Sequence, residues 1–167
     1  MGLYASFRPI DEDTAQSLRD DPEAIERLYD EEEEIEDPAD LGIVDVDKAW
    51  HGLHFLLSAI AEAAGAGEDA PLAQAVLGGD PVSEDEDVRV LEAAKVREIA
   101  DALATITEDQ LRQAFDPEAM AAADIYPDIW VRDGEEALDY LLHYFPALAG
   151  FYRATAASGR GALLSIG

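Results

Sequence analysis

The chain has no cysteine among its 167 residues. Disulfide bonds, thiolate metal sites and thiol nucleophiles are therefore excluded. It also lacks the run of roughly 18 apolar residues that a membrane-spanning helix needs. The longest candidate, residues 53–67, is interrupted by Glu62. Since the first residues do not place an apolar segment after a basic start, we expect no signal peptide and a soluble, cytoplasmic protein.

Basic residues are scarce as well, with 11 lysines and arginines against 38 acids and a net charge of −27. This balance excludes nucleic acid as a direct partner, because phosphates are bound through lysine and arginine. It also disfavours anionic membrane surfaces. Two interpretations of the acidity remain open: it provides solubility, or it forms a face that attracts a basic protein. Such a face would lie in "DEEEEIED", residues 30–37, at Glu31, Glu32, Glu33 and Glu34.

The pattern of apolar residues predicts one folded domain that is mostly helical. About half of the residues are hydrophobic, which is enough for a core. Alternation of apolar and polar residues predicts strands at residues 3–10 and 161–167, with a short one at 88–91. We therefore expect an α+β fold in which a small sheet includes the N- and C-terminal strands.

Two helices stand out in the sequence. The first spans residues 45–65, with an apolar stripe on one face and Asp45 or Asp47 as its N-cap. The second spans residues 134–157 and has two adjacent apolar stripes, so it should run through the middle of the fold. Pro146 lies inside it and should kink it.

The three histidines are the most obvious candidates for chemistry. His51 and His54 share one helical face, where two imidazoles and a carboxylate would suit zinc or iron. The HxxH pattern lacks the glutamate and the spacing of the zincin motif, so partly buried structural histidines are favoured and we predict no metal and no cofactor. His143 shares a face with Asp139 and Glu136, either as a surface pair or as part of a cleft.

No motif in the chain specifies a reaction. There is no GxSxG nucleophile elbow, no glycine-rich phosphate loop and no EF-hand loop. Because acids are abundant throughout, a pair of carboxylates has no diagnostic value for glycoside hydrolysis.

Four segments, in this order, resemble the YfbM-like family of bacterial proteins, a domain of unknown function. They are "DVDKAWHGLHFLL" (45–57), "LAQAVLGGDPV" (72–82), "FDPEAMAAADIYPDIW" (115–130) and "EALDYLLHYFPALAGFYRATAASGRGALLSIG" (136–167). The resemblance covers nearly the whole chain and implies one cytoplasmic α+β domain over residues 1–167, with no established activity. Two departures are an acidic segment at residues 83–96, where the family often has a Gly-Tyr-Gly-Pro-like stretch, and Pro146.

The segments "KAWHGLH" and "IYPDIW" are the most family-like, and each carries a tryptophan beside polar residues. If they meet, they would form an aromatic pocket suited to a small molecule. The candidate residues are Trp50, His51, His54, Tyr126, Asp128 and Trp130, with His143 as a further candidate. In the alternative, structural interpretation, Pro127 makes Tyr126 extended and the aromatic side chains only anchor the turn to the core.

We therefore predict a non-enzymatic, acidic binding domain that recognises a basic protein partner, for example as an inhibitor or immunity-type protein. The alternative is a small-molecule-binding protein or an enzyme that uses the aromatic pocket. In that case His51 or His143 would act as a base and Asp128 would orient a partner.

Overall fold

The structure is a computed structural model that describes residues 2–84 and 87–167. Residues 85–86 of the acidic segment 83–96 therefore lie outside the described residues. Along the chain the elements are β1 (Ala5–Ile10), α1 (Glu12–Asp20), α2 (Ala24–Glu33), a 3₁₀ turn (Pro38–Leu41), β2 (Val44–Asp45), a second 3₁₀ turn (Asp47–Ala49), α3 (Trp50–Ala63), α4 (Pro71–Leu77), β3 (Asp80–Pro81), β4 (Val88–Leu91), α5 (Ala93–Leu103), α6 (Glu108–Ala114), α7 (Pro117–Ala122), α8 (Trp130–Asp133), α9 (Glu135–Ala157) and β5 (Gly161–Ile166).

The sheet is built on the two ends of the chain. β1 and β5 pair antiparallel over their full lengths, from Ala5 opposite Ile166 to Ile10 opposite Gly161. The strand order is β2-β1-β5-β4-β3, and every neighbouring pair is antiparallel. The predicted fold class is confirmed: a single, mostly helical α+β domain whose small sheet includes both terminal strands. Sequence alternation did not reveal β2 and β3, because each has only two residues.

Side chains alternate between the two faces of the sheet, and each face has its own core. Phe7 and Leu164 belong to the larger cluster, which α3, α5 and α9 complete. Ile10, Leu163 and Val90 belong to a smaller cluster on the opposite face, which α1 and α2 cover. The sheet is therefore sandwiched between a thick helical layer and a thin one.

α9 is the central helix of the thick layer, as its two apolar stripes predicted. It contacts α3, α5, α6, β2 and β5. Tyr152 is fully buried on it, and its hydroxyl donates a hydrogen bond to the carbonyl of Ala75 in α4. The helix continues without interruption past Pro146, which is exposed. No helix in the described ranges is both long and apolar enough to cross a membrane.

The start of α3 differs from the prediction. The helix begins at Trp50, after the 3₁₀ turn Asp47–Ala49, and no side chain caps it. The carboxylate of Asp45 instead accepts the backbone N–H of Asp47 at 2.6 Å, and that of Asp47 accepts the hydroxyl of Tyr140 at 2.8 Å. The predicted N-cap was wrong because Asp47 adopts a φ of 54°, which turns the chain before the helix starts.

The packing of α3 against α8 and α9 predicts the effect of an added methyl group at Gly52. A Cβ there would lie 2.6 Å from Trp130 and 2.7 Å from Leu141, both buried. We expect Gly52→Ala to lower the free energy of unfolding by about 1–3 kcal/mol, measured by chemical denaturation. The matched control is Gly150→Ala in α9, where the nearest atom is 3.8 Å away. This control should leave stability unchanged or raise it by up to about 1 kcal/mol, and equal losses in both variants would contradict the packing.

Candidate functional site

The structure brings the two family-like segments together in an aromatic cluster of Trp50, His51, His54 and Tyr126. The rings of Trp50 and His51 stack nearly parallel, with centroids 4.8 Å apart. Tyr126 stacks on Trp50 at 6.0 Å, and His54 lies 6.5 Å from His51. α3 supplies three of these residues, and the loop between α7 and α8 supplies the fourth.

The polar atoms of this aromatic cluster hold the chain itself. The backbone N–H of Tyr126 donates to Nδ1 of His51 at 2.9 Å. The hydroxyl of Tyr126 accepts the backbone N–H of Leu3 at 2.9 Å, and the indole N–H of Trp50 donates to the carbonyl of Leu3 at 2.9 Å. Because Nδ1 of His51 is an acceptor, the neutral ring carries its proton on Nε2. Nε2 therefore has no lone pair for a metal or for general-base catalysis, which weakens the case for His51 as a base.

The other predicted pocket residues lie apart from these stacked rings. Trp130 is fully buried, and its indole N–H donates to the carbonyl of Ile125 at 2.8 Å, inside the same "DIYPDIW" turn. Asp128 is exposed on that turn. His143 is exposed on α9, where its ring contacts Tyr144 at 5.0 Å. These contacts favour the structural interpretation, in which the turn is anchored to the core.

One pair of polar atoms in α3 is buried without a partner. Nδ1 of His54 and Oγ of Ser58, one helical turn apart, make no hydrogen bond to any described residue. Burial, with a smaller contribution from His51, lowers the pKa of His54 to about 4. Burial also lowers the pKa of His51. Both rings are therefore neutral at physiological pH. Over residues 2–84 and 87–167, no group of three His, Asp or Glu side chains is placed to hold a metal ion.

A second candidate site is an acidic groove with a volume of about 700 Å³, formed where the end of α2 overhangs the sheet. Four of its lining residues carry carboxylates: Glu32, Glu33, Glu36 and Asp45. Two more are the half-exposed tyrosines Tyr4 and Tyr29, whose exposed fractions are 44% and 38%. No lysine or arginine is among the described residues that line it. The groove therefore combines negative charge with aromatic surface, which together suit a cation.

The groove lies where the thin helical layer leaves part of its sheet face uncovered. The floor is a row of small polar side chains, in which Ser6 pairs with Ser165 on one side and with Asp45 on the other. On the same face, the apolar residues Ile10 and Leu163 lie under α1 and α2. The smaller apolar cluster therefore ends where Ser6 and Ser165 take the place of apolar residues on this face of the sheet.

The wall of the groove follows from helical spacing on α2. Glu32 and Glu33 follow Tyr29 by three and four residues, so the three side chains lie along one side of α2. Glu36 follows beyond the end of the helix and also lines the groove. The hydroxyl of Tyr29 lies 3.1 Å from Oγ of Ser165, which joins the wall to the floor.

Arg8 divides the predicted acidic face in two. Its guanidinium lies 3.8 Å from the carboxylates of Glu31 and of Glu32, and it donates to the carbonyl of Leu28 at 3.2 Å. Of the four predicted glutamates, Glu32 and Glu33 line the groove, while Glu31 lines a smaller cleft on the other side of α2. The fourth, Glu34, is the exposed residue that ends the helix.

The sequence analysis predicted Glu32 and Glu33 as part of an acidic face, but it did not identify the other charged and aromatic residues of the groove, which are Tyr4, Tyr29, Glu36 and Asp45. The spacing of Tyr29 from Glu32 and Glu33 on a helix could have indicated that it shares their side, whereas Glu36 lies beyond the end of α2. Tyr4 and Asp45 come from distant strands, and only the register of β1 with β2 and β5 brings them to this place.

Comparison with known proteins supports the fold. The family model described as a domain of unknown function, DUF1877, matches residues 1–165. The chain is also similar to the crystal structure of a protein of unknown function, YfbM, from Escherichia coli. The two share 22% sequence identity with a TM-score of 0.71, over 98% of this chain and 99% of that one. No curated protein matches the chain. At this identity, the structural match establishes the fold alone.

The partly buried ring of His54, whose Nδ1 is shielded from solvent, predicts how stability depends on pH. The unfolded chain takes up a proton near pH 6.5, whereas the folded chain resists it until about pH 4. Stability from this group is therefore complete above pH 6.5 and is lost as the pH falls towards 4. We expect wild type to lose about 2 kcal/mol more than His54→Gln between pH 7 and pH 5. Denaturation curves at each pH measure this difference.

The matched control is His143→Gln, which removes an exposed imidazole from α9. It should reproduce the wild-type dependence on pH. If His54→Gln and wild type lost stability in parallel, Nδ1 of His54 would not be shielded from solvent as the structure shows.

Proposed function

Because the chain belongs to the DUF1877 family, whose description specifies no activity, we propose a function from the geometry: it is a binding module that recognises a basic segment of a partner protein in the acidic groove. The observation that carries this proposal is the convergence of four carboxylates and two half-exposed tyrosines on one concave surface. Lysine and arginine side chains complement such a surface through charge and through the tyrosine rings.

The end of α2 adds a reason for a cation to bind there. The last turn carries Glu32 and Glu33 and has no basic residue, although the carbonyl end of a helix already bears partial negative charge. Repulsion between these charges is only partly offset by Arg8, whose contacts are long at 3.8 Å. A basic partner would relieve this repulsion as well as gain its own ion pairs.

The net charge of −27 supports the same proposal at longer range. A field of one sign speeds the approach of an oppositely charged partner, and salt screens it over roughly 8–10 Å. Association should therefore be fast and strongly salt-dependent. The groove then provides the specificity that charge alone lacks, since its volume and tyrosines are confined to one place.

The aromatic cluster receives less support as a ligand site. The polar atoms of Trp50, His51 and Tyr126 already hold Leu3 and the turn. A ligand there would have to replace contacts that stabilise the fold.

Neutralising the groove tests the proposal. We expect Glu33→Gln with Glu36→Gln to weaken the binding of a fluorescent decalysine peptide about fivefold, because two exposed ion pairs are lost. Fluorescence anisotropy at several salt concentrations gives the affinity and its salt dependence. A decaserine peptide should not bind.

The control is Glu62→Gln with Glu68→Gln, two exposed acids outside the groove with the same change in net charge. This variant should keep nearly the wild-type affinity. If both double variants weakened decalysine equally, the peptide would be responding to total charge, and the groove would not be the binding site.

A further inference from the structure

One of the chain's own cations already lies against a tyrosine ring that lines the acidic groove. Nζ of Lys48 lies over the ring of Tyr4, 5.5 Å from its centroid. This distance is within the range of a cation–π interaction. Among the described residues, no carboxylate lies within ion-pair distance of this ammonium group. The ring of Tyr4 is thus the observed partner of Lys48.

We infer that the ring of Tyr4 is the subsite for a lysine or arginine side chain of the partner, and that Lys48 occupies this subsite while the groove is empty. The inference rests on the proposed function and deepens it. It identifies one contact that a bound basic segment makes, and it assigns Lys48 the role of an internal competitor that must move aside.

Backbone contacts hold Lys48 in position for this role. Its N–H donates to the hydroxyl of Tyr140 at 3.1 Å, just after Asp47 with its positive φ. Gly2 leaves room for its side chain, because a Cβ at Gly2 would lie 2.4 Å from Cε of Lys48. Among the described residues, the ring of Tyr4 is the partner observed for the ammonium group, so a partner protein with several cations can displace it.

Competition predicts that removing Lys48 strengthens binding. We expect Lys48→Gln to bind decalysine about two- to fivefold more tightly than wild type, the value of one exposed cation–π contact. Lys48→Arg, which keeps a cation able to stack on the ring, should bind like wild type. The chain's other lysine gives the matched control: Lys95→Gln in α5 changes net charge equally, but the observed partner of Lys95 is Glu98, 3.4 Å away, which does not line the groove.

A double-mutant cycle separates the contribution of the Tyr4 ring to decalysine affinity from the contribution of net charge. In a Tyr4→Leu background, Lys48→Gln should bring no gain, because the subsite is gone. A gain that persisted without Tyr4, or that Lys95→Gln matched, would overturn the inference and leave only a general effect of charge.

Nuclear magnetic resonance of Lys48 tests the same point without any variant. In the free protein its ε-methylene protons should be shifted upfield by the ring of Tyr4, and decalysine should return them towards the values of an exposed lysine. Unshifted protons in the free protein, or no change on binding, would overturn the inference while the proposed function stands. If decalysine bound neither wild type nor Lys48→Gln, the proposed function would fail and the inference with it.

Discussion

The antiparallel pairing of β1 with β5 is the constraint on which the rest of the structure depends. It joins the two ends of the chain into the centre of a sheet and so divides the apolar residues between two faces. The thick layer, built around α9, fills one face completely. The thin layer, α1 and α2, is too short to cover the other, and the uncovered part becomes the floor of the acidic groove. Fold and candidate function are therefore consequences of the same strand register.

The net charge alone does not indicate a function, and the geometry of the groove is what favours recognition of a basic partner. A net charge of −27 on its own is equally compatible with solubility and with recognition of a basic partner. The groove differs from the remaining acidic surface because carboxylates, tyrosine rings and a concave shape coincide there. Lys48 on the ring of Tyr4 shows that the chain's own ammonium group uses one of these rings. The aromatic cluster has the residue types of a ligand site, but Nε1 of Trp50, Nδ1 of His51 and the hydroxyl of Tyr126 are hydrogen-bonded to the chain.

The sequence predicted what depends on local patterns and missed what depends on register. The terminal strands and the central helix α9 follow from the periodicity of apolar residues. The start of α3 could not be predicted in this way, because the amino-acid sequence does not indicate that Asp47 adopts a positive φ. For the site, a pocket was predicted only on the condition that the two segments carrying the tryptophans meet, and the ring contacts show that Trp50 and Tyr126 do meet. The groove was predicted only at Glu32 and Glu33, because Tyr4, Asp45 and Ser165 reach it through strand pairing.

The central claim is that recognition of basic segments is localised in the groove and is not a property of the whole acidic surface. The most direct measurement is a titration of ¹⁵N-labelled protein with decalysine, followed through the backbone amide signals. The account predicts that the largest shifts map to the groove, at Ser6, Tyr29 and Ser165 and along the end of α2. Shifts spread evenly over exposed acids, or concentrated at His51 and Tyr126, would contradict it.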